Sequence, residues 1–308
     1  MQIIRLSSFA FILMMFSTSS YAGDDLSVVS SIKPIHSLVA GVMKGVGEPK
    51  LIVKGAQTPH GYSLKPSQMR HLQQAKLIFW IGANLETFLT KPLENLKANA
   101  KIVTLSEAQN LTLLAFREEE EEEEEEDHKG EHKHEHHGLD MHLWLDPINA
   151  KILVHEIEQS LIQADPEHVD LYRANAQKMQ SRLDSLNVEI EGLLKPVKDK
   201  PYFVFHDAYQ YFEKRYSLSP AGFLTINPEI SPGAKHLSQL KSQASKVEAG
   251  CIFSEPQFKT KALSKVISAG AFKTAVLDPT GALLNEGSEL YFNLIKNMTQ
   301  TIKDCLTP

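Results

Sequence analysis

The chain has 308 residues, a formal net charge of −6 and 42% hydrophobic residues. This length and apolar content are enough for two hydrophobic cores of ordinary size. The chain is acidic and has no basic patch interleaved with aromatic residues, which argues against nucleic acid as a partner.

The N-terminal segment 1–22 resembles a secretory signal peptide. Arg5 precedes an apolar stretch from Phe9 to Phe16, and the sequence from Ser20 to Ala22 is typical of a cleavage site. The apolar stretch is too short to cross a bilayer, which takes about 20 residues. We therefore expect cleavage near Ala22 and export to the periplasm of a Gram-negative bacterium. We expect no lipid anchor, because no cysteine follows the cleavage site.

Strands and amphipathic helices alternate in the first half of the mature chain. Alternation of this kind predicts a parallel sheet covered by helices, here an N-terminal βα domain over 23–165. The predicted strands are Ser27 to Ser31, Leu51 to Val53, Leu77 to Ile81 and Ile102 to Leu105.

A tract of acidic residues and histidines interrupts this domain as a loop over 117–138. Nine consecutive glutamates from Glu118 to Glu126 are followed by Asp127 and by five histidines, His128, His132, His134, His136 and His137. Like charges repel and cannot be buried without partners, so we expect the tract to be extended and solvated, with free ligands for passing divalent cations. Zinc suits this mixture of imidazole and carboxylate. The alternatives are a purely solvating acidic loop and a tail for a basic partner.

A long helix is predicted after the tract. The segment from His142 to Leu145 has an extended pattern, and Asp146 with Pro147 then caps a helix. Beyond the second Asp-Pro pair at Asp165, apolar residues recur every three or four positions as far as Pro196. This pattern predicts one amphipathic helix over 166–195, although an isolated coiled coil would show it too.

The βα alternation resumes in a C-terminal domain over 196–308. Its predicted strands are Pro201 to Phe205, Gly250 to Ser254 and Thr274 to Leu277. We therefore predict an α/β fold, with two βα domains of mainly parallel sheets joined by one long rigid helix. The two cysteines, Cys251 and Cys305, could form a disulfide in an oxidising compartment; a reactive thiol is the alternative.

Three histidines lie where strands give way to loops: His60 after the strand that ends at Val53, His142 beyond the tract, and His206 directly after Phe205. In open α/β sheets ligands bind beyond the carboxyl ends of the strands, so a ring at such a place faces a cleft. Their spacing forces no contact, and each alone could be a surface residue. Asp278 also follows a strand, and either completes a four-coordinate site or caps the turn at Pro279. Glu255 is a candidate hydrogen-bond partner for a ligating ring.

Motifs along the whole mature chain carry a resemblance to a known family. They are Ser31 to Pro34, Pro59-His60-Gly61-Tyr62 with Lys65-Pro66-Ser67, Gly82 to Glu86, Met141 to Pro147, Phe205-His206-Asp207 and Leu277-Asp278-Pro279. On these residues the chain resembles the periplasmic solute-binding proteins of high-affinity bacterial zinc importers, of the ZnuA type. A charged, histidine-rich loop in this location is typical of the zinc branch of the family.

The resemblance implies a zinc site in the cleft between the two domains. His60 and His142 would be metal ligands from the first domain, His206 would be one from the second, and Asp278 or water would be the fourth. Several relatives have a glutamate before the first histidine, and Pro59 stands there in this chain. Manganese-binding relatives usually have glutamate in place of His206, so nitrogen at this position favours zinc.

The resemblance also implies a transport function without catalysis. Zn²⁺ would be the transported ligand, and the partners would be an inner-membrane ABC permease and its ATPase, with the protein acting as a monomer. A zinc hydrolase or hydratase is the alternative from another class, since three histidines with an open position also suit catalysis. A periplasmic zinc buffer without a permease is the third possibility.

Overall fold

A computed structural model of the protein describes residues 26–117, 138–258 and 271–307. The predicted signal peptide and the acidic, histidine-rich tract therefore lie outside the described residues. Within the described parts of the chain, no helix is both long enough and apolar enough to cross a membrane.

The first sheet has four parallel strands in the order β2-β1-β3-β4. Helices follow the first three strands and cover the sheet, so that β1 and β3 are buried along their whole length, as expected for a parallel sheet. The strands match the predicted ones to within two residues. The elements are β1 (Val28–Ser30), α1 (Lys33–Val42), β2 (Lys50–Leu51), α2 (Pro66–Gln74), β3 (Leu77–Trp80), α3 (Thr87–Glu94) and β4 (Lys101–Thr104).

The segment after His142 differs from the prediction. Leu143–Leu145 forms a 3-10 turn instead of an extended segment. All three residues are buried, so an apolar run that suggested a strand serves here as a buried turn. Helix α4 (Pro147–Ala164) then begins at the predicted residue, and the carboxylate of Asp146 accepts a hydrogen bond from the backbone N–H of Ile148 at 2.8 Å.

The predicted long helix is present as α5 (Val169–Leu194), with a 3-10 turn before it at Pro166–His168 and another after it at Lys195–Val197. Its 26 residues, at about 1.5 Å each, give a length of about 39 Å. The predicted apolar stripe is buried, and at its end Leu194 is buried in place of the neighbouring Leu193. The buried residues of this stripe are Tyr172, Ala176, Met179, Leu183, Leu186, Ile190 and Leu194.

The second sheet repeats the plan of the first, with four parallel strands in the order β6-β5-β7-β8. The sequence did not predict β6, whose residues Gly222–Thr225 carry little strand signal beside Pro220 and Asn227. The elements are β5 (Tyr202–His206), α6 (Gln210–Tyr216), β6 (Gly222–Thr225), α7 (Ala234–Ser245), β7 (Ala249–Ser254), β8 (Ala271–Val276) and α8 (Leu290–Leu306). The predicted α/β fold with parallel sheets and one long helix is thus confirmed.

Helix α5 connects the two halves, because it packs on α1 and α4 beside the first sheet and on α6 and α8 beside the second. Its approach to α1 is close: a Cβ atom added at Gly41 would overlap the sulfur of Met179. A buried lysine also crosses between the halves. Lys33 of α1 donates hydrogen bonds to three carbonyl oxygens of the 281–284 loop, at 2.7 to 3.2 Å. These contacts hold the two sheets in one arrangement.

The predicted disulfide is present between Cys251 of β7 and Cys305 of α8, with Cα atoms 6.0 Å apart. The two residues are 54 positions apart in the sequence. Closing a loop of that length stabilises the folded state by about 4 kcal/mol in the chain-entropy model. The disulfide therefore fixes the C-terminal helix to the second sheet.

Candidate metal centre

His60, His142 and His206 lie side by side between the two sheets. One nitrogen from each ring can be chosen so that all three lie within 4.8 Å of one another. The ring centroids are 4.8 to 5.4 Å apart. A tetrahedral zinc ion with bonds of about 2.0 to 2.1 Å holds its nitrogens about 3.4 Å apart. A shift of about an ångström or less would bring the three nitrogens to that spacing.

His60 belongs to the loop that connects β2 to α2, and Gln68 of α2 holds this loop. The Gln68 amide donates to the carbonyl of Ile52 at 2.5 Å and to the hydroxyl of Tyr62 at 2.6 Å. Its own oxygen accepts from the backbone N–H of Lys65 at 2.8 Å. Three side-chain hydrogen bonds thus fix the ends of the segment that carries His60.

His142 is oriented by an aspartate that the sequence prediction missed. Asp140 Oδ1 lies 2.7 Å from His142 Nδ1 and accepts the backbone N–H of the same residue at 2.9 Å. A carboxylate accepts hydrogen bonds and does not donate them, so Nδ1 carries the proton and Nε2 keeps a lone pair for a metal. The Asp-x-His spacing was the available signal, since a side chain two residues earlier can cap a turn.

His206 is the last residue of β5, an inner strand of the second sheet. Its Nδ1 lies 3.2 Å from Glu255 Oε1, within reach of the carboxylate but without the alignment of a hydrogen bond. Glu255 follows β7 directly and also accepts a hydrogen bond from the hydroxyl of Tyr209 at 3.2 Å. Glu255 therefore lies beside the ring of His206, as expected for a partner of a ligating ring, and ligation by His206 stays a prediction.

The electrostatics of the metal-free site favour the neutral forms of His60 and His206. His142 and His206 are 4% and 2% exposed. Burial, followed by the charges that the neighbouring rings would carry, lowers the pKa of His60 and of His206 well below the usual value for histidine. Nε2 of His60 and both ring nitrogens of His206 are buried without a hydrogen-bond partner in the described residues. Uncharged nitrogens without partners are suited to binding a metal ion.

Two further features complete the site. Burial raises the pKa of Glu255 to about 8, so this carboxyl is largely protonated at neutral pH until a cation approaches. A cavity of about 480 Å³, lined by His60, His142 and residues of the 224–239 segment, connects the rings to solvent. The arrangement therefore offers three nitrogen donors, an acidic neighbour and a route of entry.

Asp278 does not belong to the group of converging ligands in the described residues. Its Oδ1 accepts hydrogen bonds from the backbone N–H and the hydroxyl of Thr280, at 3.2 and 3.3 Å. Its Oδ2 accepts from the backbone N–H of Leu283 at 3.2 Å. These bonds are those of a turn cap, and a ligand role for Asp278 stays a prediction.

The other histidines of the described residues do not belong to this group. The five predicted ligands of the tract, from His128 to His137, lie outside the described residues. His36 is buried on α1 and hydrogen-bonded through Nε2 to the carbonyl of Pro49 at 3.0 Å, which agrees with a structural role. His155 and His168 contact Glu158 and Asp165 on the helical face of the protein.

Replacement of Asp140 by asparagine tests the orientation of His142. An amide is uncharged and makes the imidazole a weaker ligand, so we expect zinc affinity to fall by about 10- to 100-fold in Asp140→Asn. The measurement is a competition titration of the metal-free variant against a chelator of known affinity.

Asp165→Asn is the matched control, because Asp165 Oδ2 also lies 2.7 Å from a histidine Nδ1, that of His168, outside the group of three rings. Its zinc affinity should equal that of the unmodified protein. An Asp140→Asn variant that binds zinc as tightly as this control would show that the aspartate does not orient the ligand.

The pH dependence of zinc binding follows from the lowered pKa values of His60 and His206. Protons compete with the metal only as the pH approaches the pKa in the folded protein, so affinity should persist below pH 6.5 and decline at lower pH. Asp140 and Glu255 are the acidic groups in contact with His142 and His206. Titrations at intervals between pH 8 and pH 4.5 give the midpoint, and a midpoint at or above 6.5 would contradict burial of the rings.

Comparison with known proteins identifies the family. Residues 28–305 match the family model described as "ZnuA: Zinc-uptake complex component A periplasmic". High-affinity zinc uptake system protein ZnuA of Brucella suis is 46% identical, with 95% of each chain covered. A crystal structure of ZnuA aligns with a TM-score of 0.75 at 26% identity, over 92% of this chain and 100% of the other. A deletion mutant of ZnuA with zinc bound aligns with a TM-score of 0.73 at 26% identity, over 92% and 99%. The chain therefore belongs to the ZnuA family of periplasmic zinc-uptake components.

Proposed function

We propose that this protein captures Zn²⁺ with high affinity in the periplasm and delivers it to an ABC-type importer. Its partners are the inner-membrane permease and the ATPase of that importer. The observation that carries the proposal is the convergence of three imidazole rings between the two sheets, two of them buried. Membership of the ZnuA family supports the transport role. The metal is cargo, and the protein catalyses no reaction on it.

The donor set explains the choice of metal. Zinc binds histidine nitrogen in tetrahedral sites, whereas Mn²⁺ prefers carboxylate and carbonyl oxygen. His60, His142 and His206 supply three nitrogens and leave one position open. We propose that Asp278 or water occupies that position. Asp278→Ala separates the two, because it weakens zinc binding where the carboxylate is the ligand and leaves it unchanged where water is.

Export and organisation complete the proposal. The signal peptide is removed near Ala22, and the mature protein acts as a monomer in the periplasm. The N-terminal domain covers 23–165, the linking helix 166–195 and the C-terminal domain 196–308. The disulfide between Cys251 and Cys305 agrees with an oxidising compartment.

Titration of the chelator-stripped mature protein with Zn²⁺ and Mn²⁺ tests this function. We expect one tight zinc event that manganese does not match. Loss of a residue that only hydrogen-bonds a ligand lowers metal affinity by about 10- to 100-fold. We expect a larger loss of zinc affinity in His60→Ala, His142→Ala and His206→Ala. Competition calorimetry measures affinity and stoichiometry together.

His155→Ala is the matched control, since this ring is largely exposed on α4 and outside the group of three. Tight binding that survives all three site variants would place the metal elsewhere and overturn the proposal. Growth under zinc starvation distinguishes delivery from buffering when the protein is expressed in strains with and without the permease, because only delivery requires the permease.

The tract from Glu118 to His137 is proposed to be an auxiliary collector of zinc. Its ligands have no preorganised frame in the sequence, so we expect its affinity to be lower than that of the three rings. Replacing the tract by Gly-Gly-Ser-Gly should leave one tight site and remove the weaker binding events seen by calorimetry.

A second variant separates histidine from acidic charge in this tract. Mutation of its five histidines to alanine keeps the glutamates and should remove most of the weaker zinc binding. If tight binding disappears with the tract in either variant, the tract contributes to the main site and is not auxiliary.

A further inference from the structure

The tract is anchored by a short two-stranded stem, formed by residues 114–116 and 138–140. Ala115 and Leu139 pair as an antiparallel bridge. The N–H of Phe116 donates to the carbonyl of Gly138 at 3.1 Å, and the N–H of Asp140 donates to the carbonyl of Leu114 at 2.8 Å. Asp140, on the returning strand, orients His142. One side of the stem therefore ends at a partner of a metal ligand.

The outgoing side of the stem ends at Arg117, whose guanidinium reaches the second half of the protein. Nη1 lies 3.1 Å from Oδ1 of Asp207, and Nη2 is paired with the carboxylate of Glu213 on α6. The side chains of Asp207 and Glu213 are 0% and 3% exposed, and that of Arg117 is 28% exposed. This is an almost fully buried ionic cluster that joins the stem to the turn after β5.

Asp207 follows His206 directly, in a tight turn. The N–H of Asp207 donates to the carbonyl of Thr225 at 3.0 Å, and the N–H of Ala208 donates to the carbonyl of His206 at 2.9 Å. Because the two residues are adjacent in this turn, we expect a displacement of Asp207 to displace the backbone of His206 as well. The position of the His206 ring thus depends on where Asp207 is held.

The charge of Arg117 compensates that of Asp207. In the described residues neither oxygen of Asp207 has a hydrogen-bond partner of good geometry, so the nearby guanidinium is what stabilises the buried carboxylate. A cavity of about 470 Å³, lined partly by Arg117, Gln210 and Glu213, lies beside the cluster. Without the guanidinium, the buried carboxyl group of Asp207 loses its neighbouring cation, and we expect the turn that carries His206 to relax.

We propose that Arg117 is a positioning residue for the metal ligand His206, acting through Asp207. The inference rests on the proposed zinc function and deepens it: both sides of the stem then hold a ligand, Asp140 holding His142 and Arg117 holding His206. Arg117 immediately precedes the acidic tract. The proposed zinc site is thereby linked to the stem from which the acidic, histidine-rich tract extends.

A purely structural role is the alternative, and another ion pair of this protein provides the control. Arg215 of α6 binds Asp146 through two hydrogen bonds, at 2.8 and 2.6 Å. Their side chains are 31% and 4% exposed, close to the values for Arg117 and Asp207. Arg215→Met therefore removes an ion pair of similar burial that does not adjoin His206.

The test compares Arg117→Met with Arg215→Met in zinc affinity, thermal stability and the visible spectrum of the Co²⁺-substituted protein. Both variants should lose stability. Zinc affinity should fall by about 10- to 100-fold in Arg117→Met alone. Its Co²⁺ absorption bands should also shift or weaken, because they report the geometry of the ligands, whereas those of Arg215→Met should be unchanged.

Two further variants keep the proposal open to refutation. Arg117→Lys retains the charge and should lose less affinity than Arg117→Met, and it serves where Arg117→Met does not fold. In Arg117→Met with Asp207→Asn the unpaired charge next to His206 is gone, whereas that of Glu213 remains, so most of the zinc affinity should return without full recovery of stability. Equal losses of affinity in Arg117→Met and Arg215→Met, or an unchanged affinity and Co²⁺ spectrum in Arg117→Met, would overturn the inference. Absence of tight zinc binding in the unmodified protein would instead overturn the proposed function.

Discussion

Three imidazole rings from the two halves of the protein must stay within a few ångströms of one another, and two of them, His142 and His206, are buried. Protonated rings at this distance would repel, and burial disfavours the charged form, so the site and the low pKa values of His60 and His206 have the same cause. The rest of the fold satisfies this constraint. Both sheets present the carboxyl ends of their strands to one space, and α5 packs on helices of both halves. Lys33 adds three hydrogen bonds across the same boundary.

Positions at strand ends marked His60 and His206 as candidates, whereas His142 follows the tract, and the choice of all three as metal ligands came from the resemblance to a family. Spacing along the chain did not predict that the edges of the two sheets would face each other. That prediction came from the resemblance to a family with a metal site between its two domains. The long helix was predictable from its apolar stripe, since a period of three to four residues sustained over so many turns matches the helical repeat and not that of a strand. In the 143–145 segment the apolar run is a buried 3-10 turn and not an extended segment. Composition alone does not distinguish a buried turn from a buried extended segment.

The residues that support the rings were harder to predict than the rings themselves. Asp140 had a local signal, two positions before His142, but the pair of Arg117 and Asp207 joins residues 90 apart in the sequence. No periodicity relates them, and Arg117 resembles any basic residue beside an acidic tract. Their contact exists because the stem brings the end of one segment against the turn after β5. Long-range ion pairs of this kind are properties of the packed fold and leave no pattern in a single sequence.

Neutral ligands also set a charge requirement that the surrounding carboxylates meet. In the proposed site, three imidazole ligands would leave the double charge of Zn²⁺ uncompensated in a largely buried place, where charge is costly. Asp140 contacts the far nitrogen of His142, and Glu255 lies beside that of His206, so negative charge acts on the metal through the rings. Because the pKa of Glu255 is about 8 without metal, this carboxyl is largely neutral in the metal-free protein, and an approaching cation favours its ionised form. The metal-free site therefore does not bury the negative charge of Glu255, and that charge develops beside His206 when a cation is bound. Placing the acids one ring away from the metal keeps the ligand set rich in nitrogen, which favours zinc, while it supplies the charge that a direct carboxylate ligand would have given.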